Sequence, residues 1–312
     1  MTTAYITHPD CLRHEMGAGH PESPDRLAAV NEHMRTSGLM DELRCLQAPL
    51  AEPEDLKRVH RASYVDLIFE NAPAQGYVQL DPDTAMNPYS LAAARRAAGA
   101  GLLAVDEVME GRVQNAFCAV RPCGHHATQS RSMGFCIFNN VGVAAAHALE
   151  VKGLDRVAIV DFDVHHGNGT EDMFSPPQWR DRVLMTSFFQ HPFYPGSGTS
   201  NPAPNMVNVP LAAGSGGAAA KKVFEQQWLP ALEKFQPQMI LISAGFDAHQ
   251  EDLLGGLALV ESDYTWLTDE LMAVAARHAD KRIVSMLEGG YNLAALGRSA
   301  VAHVRALSSS SR

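Results

Sequence analysis

Cysteine is scarce and poorly placed for cross-linking: five residues (Cys11, Cys45, Cys118, Cys123, Cys136), an odd number with no C-x-x-C pair. A disulfide framework is therefore not expected, and reduced thiols in a cytoplasmic protein fit better. No apolar run approaches the roughly 18–20 residues of a membrane span, and the amino terminus lacks a basic stretch followed by an apolar one. Neither a membrane segment nor a secretory leader is expected. Basic residues are in deficit: 25 Lys plus Arg against 35 Asp plus Glu leave a net charge of −10. That sign disfavours direct nucleic-acid binding, which needs a basic face, and permits weak attraction of cationic substrates. Charged residues are few at 19%, while apolar residues reach 46%. Such a chain buries a large core and is not disordered. A G-x-S-x-G nucleophile elbow is missing. Gly99-Ala-Gly101-Leu-Leu-Ala104 matches a dinucleotide fingerprint in form only, because it lies inside an Ala-rich helical stretch rather than after a strand.

What is abundant is histidine, 14 residues, several beside Gly and Asp. Histidine is both a metal ligand and a near-neutral acid or base. Short apolar runs at 116–120, 157–162, 183–188, 239–243 and 283–287 read as strands buried on both faces. Helical segments at 91–110, 141–151, 218–235, 263–279 and 292–307 separate them. Asn87-Pro88 reads as an N-cap with proline at the first helical position, and Gly111 as the glycine that ends that helix. The alternation predicts an α/β fold: a mainly parallel sheet with helices on both faces. No fixed-period repeat or linker-like break divides it. One domain over 1–307 is expected, with 308–312 a frayed tail.

The densest chemistry follows the second of these helical segments, in Val157-Ala-Ile-Val-Asp161-Phe-Asp163-Val-His165-His166-Gly167-Asn168-Gly169. Asp161, Asp163 and His165 alternate with period two, which sets their side chains on one face at the strand's carboxyl end. Sites form at that end in open α/β sheets. Asp163 and His165 can reach one metal, and Asp247, after the strand at 239–243, is the candidate third ligand. Arg121-Pro122-Cys123-Gly124-His125-His126 adds two adjacent histidines, with Asp161 and Asn168 as candidate partners. A carboxylate partner favours charged imidazole more than an amide does, so the two rings are expected to differ in protonation. Leu287-Glu288-Gly289-Gly290-Tyr291 supplies a phenol able to donate to an oxyanion.

RPCGHHA, GFCIFNN (134–140), DFDVHHGNG, SAGFDA and LEGGYN, in this order, resemble the arginase-like zinc deacetylases: the histone deacetylase, acetylpolyamine amidohydrolase and acetoin-utilisation superfamily. The resemblance runs from His20-Pro21-Glu22 through nearly the whole chain. Asn168, where class I deacetylases carry Asp, and Phe188-Phe189-Gln190 resemble the class II-type bacterial histone deacetylase-like amidohydrolases. The resemblance implies a single arginase-like domain in which Asp163, His165 and Asp247 bind one catalytic Zn2+. It also implies that His125 is backed by Asp161, that His126 is the general base and acid, and that Tyr291 polarises the amide carbonyl. Gly134 and Phe135 match one tunnel wall, Tyr194 stands where the opposing Phe lies, and Leu254 falls at the mouth. Asp161, Asp163, His165, Ser187 and Phe188 match a structural K+ site, with a second such site near Phe174 and Val183.

The function so implied is removal of an acetyl or other acyl group from an amine, foremost Nε-acyl-lysine of a protein or peptide. A small acetylpolyamine is the alternative substrate, although Leu254 in place of an acidic gatekeeper disfavours it. Asp81 and Asp83 offer rim carboxylates for a peptide backbone or a cation, but ordinary turn-forming Asp is the preferred reading. An acyl-lysine binding module and a two-manganese arginase-type hydrolase are the competing classes. The complete set of ligands, histidines and tyrosine argues against the first, and the single ligand set against the second. A homo-oligomer is compatible with the sequence.

Overall fold

A computed structural model describes residues 2–309 of the chain. It contains ten strands: β1 (Thr3–Thr7), β2 (Arg44–Gln47), β3 (Val78–Asp81), β4 (Thr84–Met86), β5 (Asn115–Cys118), β6 (Val157–Asp161), β7 (Val183–Gln190), β8 (Met206–Leu211), β9 (Met239–Ala244) and β10 (Ile283–Leu287). Eight form one sheet in the order β2-β1-β5-β10-β9-β6-β7-β8, with every neighbouring pair parallel. Parallel neighbours need crossovers, and the intervening helices supply them. Every residue of β5, β6, β7, β9 and β10 is buried, as a sheet covered on both faces requires. β10, the last strand in the chain, lies between β5 and β9 and so joins the two halves of the sheet. The remaining pair, β3 and β4, forms a separate antiparallel hairpin. Among the described residues no helix is long and apolar enough to cross a membrane.

Several boundaries differ from the sequence expectation. Asn87-Pro88 is a turn outside the helix. Asn87 Oδ1 accepts from the Tyr89 N–H (3.0 Å) and the Ser90 hydroxyl (2.9 Å), and the helix itself runs Ser90–Met109. The expected helix at 218–235 is interrupted by a wide turn at Phe224–Trp228. Pro230 follows, without the N–H that an α-helical turn would use, and Trp228 stacks on Phe188 with centroids 5.2 Å apart. The last helix continues through Ser308 and Ser309. Their hydroxyls donate to the carbonyls of Arg305 and Ala306 (2.9 Å each), so the predicted tail is ordered for two more residues. Residues 310–312 of that tail lie outside the described residues.

Candidate active site at four adjacent strand ends

β5, β10, β9 and β6 are consecutive in the sheet, so the four motif-bearing segments leave its carboxyl edge side by side. β6 ends at Asp161, which puts Asp163 and His165 on the turn beyond it rather than on the strand. Backbone donors aim these side chains. Val164 N–H donates to Asp247 Oδ1, His165 N–H to Asp163 Oδ1 and Gly289 N–H to Asp163 Oδ2, each at 2.9 Å. One potential ligand atom each from Asp163, His165 and Asp247 lies within 4.8 Å of the others. Asp247 Oδ2 is buried without a hydrogen bond, and burial together with Asp163 pushes its pKa up to about 7. Asp247 Oδ2 lies 3.3 Å from His165 Nδ1; a buried carboxylate crowded by a second one is what a cation would relieve, and the donor set fits a metal ion. Gly289 has no room for a side chain: a Cβ would run into Asp247 Oδ2.

The two histidines have the unlike partners expected of them. His125 Nδ1 is 2.9 Å from Asp161 Oδ2, and His126 Nδ1 is 2.7 Å from Asn168 Oδ1. Burial alone would lower His125, but the carboxylates of Asp163 and Asp161 raise it well above the ordinary imidazole range. Burial and the neighbouring His125 and His165 rings hold His126 well below that range. The amide oxygen of Asn168 fixes the His126 proton on Nδ1, which leaves Nε2 as an open acceptor. Their loop is fixed from below by Glu288, whose carboxylate accepts from Gly124 N–H (2.6 Å) and His125 N–H (3.1 Å). Burial of the Tyr291 phenol raises it well above its ordinary value and keeps it a donor.

A cavity of about 440 Å³ opens onto this cluster, lined among others by His126, Phe135, His165, Tyr194, Leu254 and Tyr291. Gly134, with φ +57, lies against His126 and would lose that contact to a Cβ. Phe135 meets Tyr291 edge-on at 5.9 Å. The opposing wall has two aromatics. Tyr194 meets His126 edge-on at 5.2 Å, while Phe193, which the sequence reading missed, stacks on His165 at 5.4 Å and 17°. The pair precedes Pro195-Gly196, and only the geometry assigns both rings to the wall. Asp81 accepts from Arg131 (2.6 Å); Asp83 accepts from Gly134 N–H (3.0 Å) and also lines the cavity.

One further feature was not anticipated. Glu22, fully buried, is gripped bidentately by Arg121 (2.5 Å twice) and by Arg26 (2.9 Å). Arg121 opens the histidine loop, and Arg26 lies 4.8 Å from the Tyr291 ring centroid, so one carboxylate joins the two loops. His20-Pro21-Glu22 was the available signal. At the residues expected to hold potassium, β6–β7 pairing sets Asp161, the partner of His125, opposite Ser187, with Phe188 buried beside it. The carbonyls of Phe174 and Val183 both accept from Asn205 Nδ2 at 2.9 Å.

Comparison with known proteins identifies the family of the chain. A histone deacetylase domain matches residues 20–307. The histone deacetylase-like amidohydrolase of Pseudomonas aeruginosa is 38% identical over 88% of this chain and 73% of its own. A probable deacetylase of Archaeoglobus fulgidus is 35% identical over 94% and 82%. The crystal structure of the HDA15 HD domain superposes with a TM-score of 0.91 at 35% identity, covering 99% of this chain and 88% of that one. The chain belongs to the histone deacetylase family of amide hydrolases.

Proposed function

We propose that this protein is a zinc-dependent deacylase that removes an acetyl or other acyl group from an amine, with Nε-acyl-lysine of a protein or peptide as its substrate class. The observation that carries the reading is a meeting of groups at one cavity: the Asp163–His165–Asp247 donor set, two histidines of unlike protonation and a protonated phenol. Asp163, His165 and Asp247 would hold one zinc ion. Zinc there supplies Lewis acidity towards the acyl carbonyl and makes water a stronger acid.

The chain's own residues account for the proton movements. Neutral His126 accepts a proton at Nε2 from the attacking water while Asn168 holds its Nδ1 proton. Tyr291 donates its O–H to the carbonyl oxygen as negative charge develops there. Cationic His125 adds positive field beside it. The proton on His126 then passes to the leaving amine, so amide and water become carboxylate and amine. Phe135, Phe193 and Tyr194 suit the apolar stem of lysine. Leu254 at the mouth favours lysine over a free polyamine.

Asp161, Asp163, His165, Ser187 and Phe188 would hold a structural potassium, partly through backbone oxygens; the β6–β7 register, with Asp161 opposite Ser187, supports two members of the grouping. The Asn205 amide on Phe174 and Val183 favours one such ion rather than two. Five free thiols suit a reducing, cytoplasmic setting.

The test is a panel of acetyl-lysine peptides, longer acyl-lysines and acetylated polyamines, compared by kcat/KM with and without chelator, alongside metal analysis. Chelator-sensitive release of acid from the lysine substrates is expected. Saturable binding without product would leave a binding module instead, and two manganese ions per chain with guanidine hydrolysis would leave an arginase-type enzyme.

A further inference from the structure

The turn that carries Tyr291 and the loop at the cavity mouth share one anchor. Asp252 Oδ2 accepts from the backbone N–H of Tyr291 at 2.7 Å and of Asn292 at 3.0 Å. Its other oxygen accepts from Leu254 N–H at 2.9 Å. The carboxylate itself is held in place because Asp252 N–H donates to His249 O at 2.9 Å. Leu254 lines the cavity, and Leu253 stands 73% exposed between the two.

The turn needs such an anchor. Gly289 and Gly290 have no side chains to lock it, and Gly290 has φ +124, a region L side chains rarely adopt. On one side the Arg26 guanidinium holds the turn by its carbonyls, donating to Gly290 O (2.6 Å) and Glu288 O (2.5 Å). On the other side Asp252 holds it by its N–H groups. Charge-assisted bonds of this kind are stronger than neutral ones. A phenol misplaced by about 1 Å loses up to roughly 100-fold in rate.

We propose that Asp252 is a positioning residue for Tyr291: its carboxylate, anchored in the mouth loop, sets where the phenol meets the reacting carbonyl. The inference rests on the reading of Tyr291 as the donor to that carbonyl. It separates Asp252 from a merely structural loop residue, because its effect on rate must pass through the Tyr291 hydroxyl.

A double-mutant cycle tests it, with an acetyl-lysine peptide as substrate and bound zinc measured for each variant. Asp252→Ala is expected to lower kcat about 10- to 100-fold, with KM moving far less and zinc content unchanged. In the Tyr291→Phe background the same substitution should change kcat by no more than about twofold. Asp252→Asn retains the side-chain size with only one acceptor oxygen. It serves in place of the alanine variant should that one not fold, with the same expected pattern. Wild-type kcat in the folded Asp252 variant, or equal losses in both backgrounds, overturns the inference while leaving the proposed function standing. Undiminished turnover by Tyr291→Phe alone removes the reading of Tyr291, and this inference with it.

Discussion

Asn168 Oδ1 lies 2.7 Å from His126 Nδ1, a neutral acceptor one position away from a histidine that has a carboxylate instead. Burial and the neighbouring His125 and His165 rings keep His126 neutral, and the Asn168 amide brings no negative charge to offset them. Asn168→Asp should raise the His126 pKa, because an anionic partner favours imidazolium. A base must be unprotonated to act, so the acid limb of kcat/KM moves to higher pH, by about one unit. A pH–rate profile checks this, and a limb that stays in place removes His126 from the role of base.

Tyr291→Phe removes one donor to the developing oxyanion. Turnover should fall about 100- to 1,000-fold while bound zinc stays near that of the unaltered protein. Steady-state kinetics beside metal analysis reads both, and wild-type-like turnover removes Tyr291 from the mechanism.

Asp247→Asn converts the buried, crowded carboxylate into a neutral amide. Zinc affinity should fall sharply, and activity should return only at raised zinc concentration. Competition with a chelator measures the affinity. Unchanged affinity means the ion is held by other groups.

Glu22→Gln leaves the buried guanidiniums of Arg26 and Arg121 without their carboxylate. Breaking a buried ion pair from one side costs about 3–5 kcal/mol, so the denaturant midpoint should drop markedly. A shift of only a few tenths of a kcal/mol in chemical unfolding would show that the arginines are satisfied without it.

The site was legible where its chemistry is local in sequence. Asp161, Asp163, His165, Asn168, the paired His125 and His126, and Tyr291 each follow a buried strand, and parallel pairing brings those ends together. What escaped the sequence depends on partners far apart: Glu22 and Arg121 are separated by 99 positions and Arg26 and Gly290 by 264, so His20-Pro21-Glu22 marks Glu22 without naming its partners. Phe193 was missed because two adjacent aromatics before Pro195 are equivalent until backbone direction is known. β8 carries Pro210, which suits only an edge strand, and β2 is a short strand with little burial. Neither gave a hydrophobic signal, and both border the sheet.

The placement of β10 between β5 and β9 bears on how the protein is made. During synthesis the segments bearing the histidine pair and the carboxylates emerge first, but the strand that unites their two half-sheets emerges late. Residues 283–291 also bring Glu288 beneath the histidine loop and the phenol beside it. A nascent chain stalled before them therefore has no assembled centre, and acquisition of the site coincides with closure of the sheet.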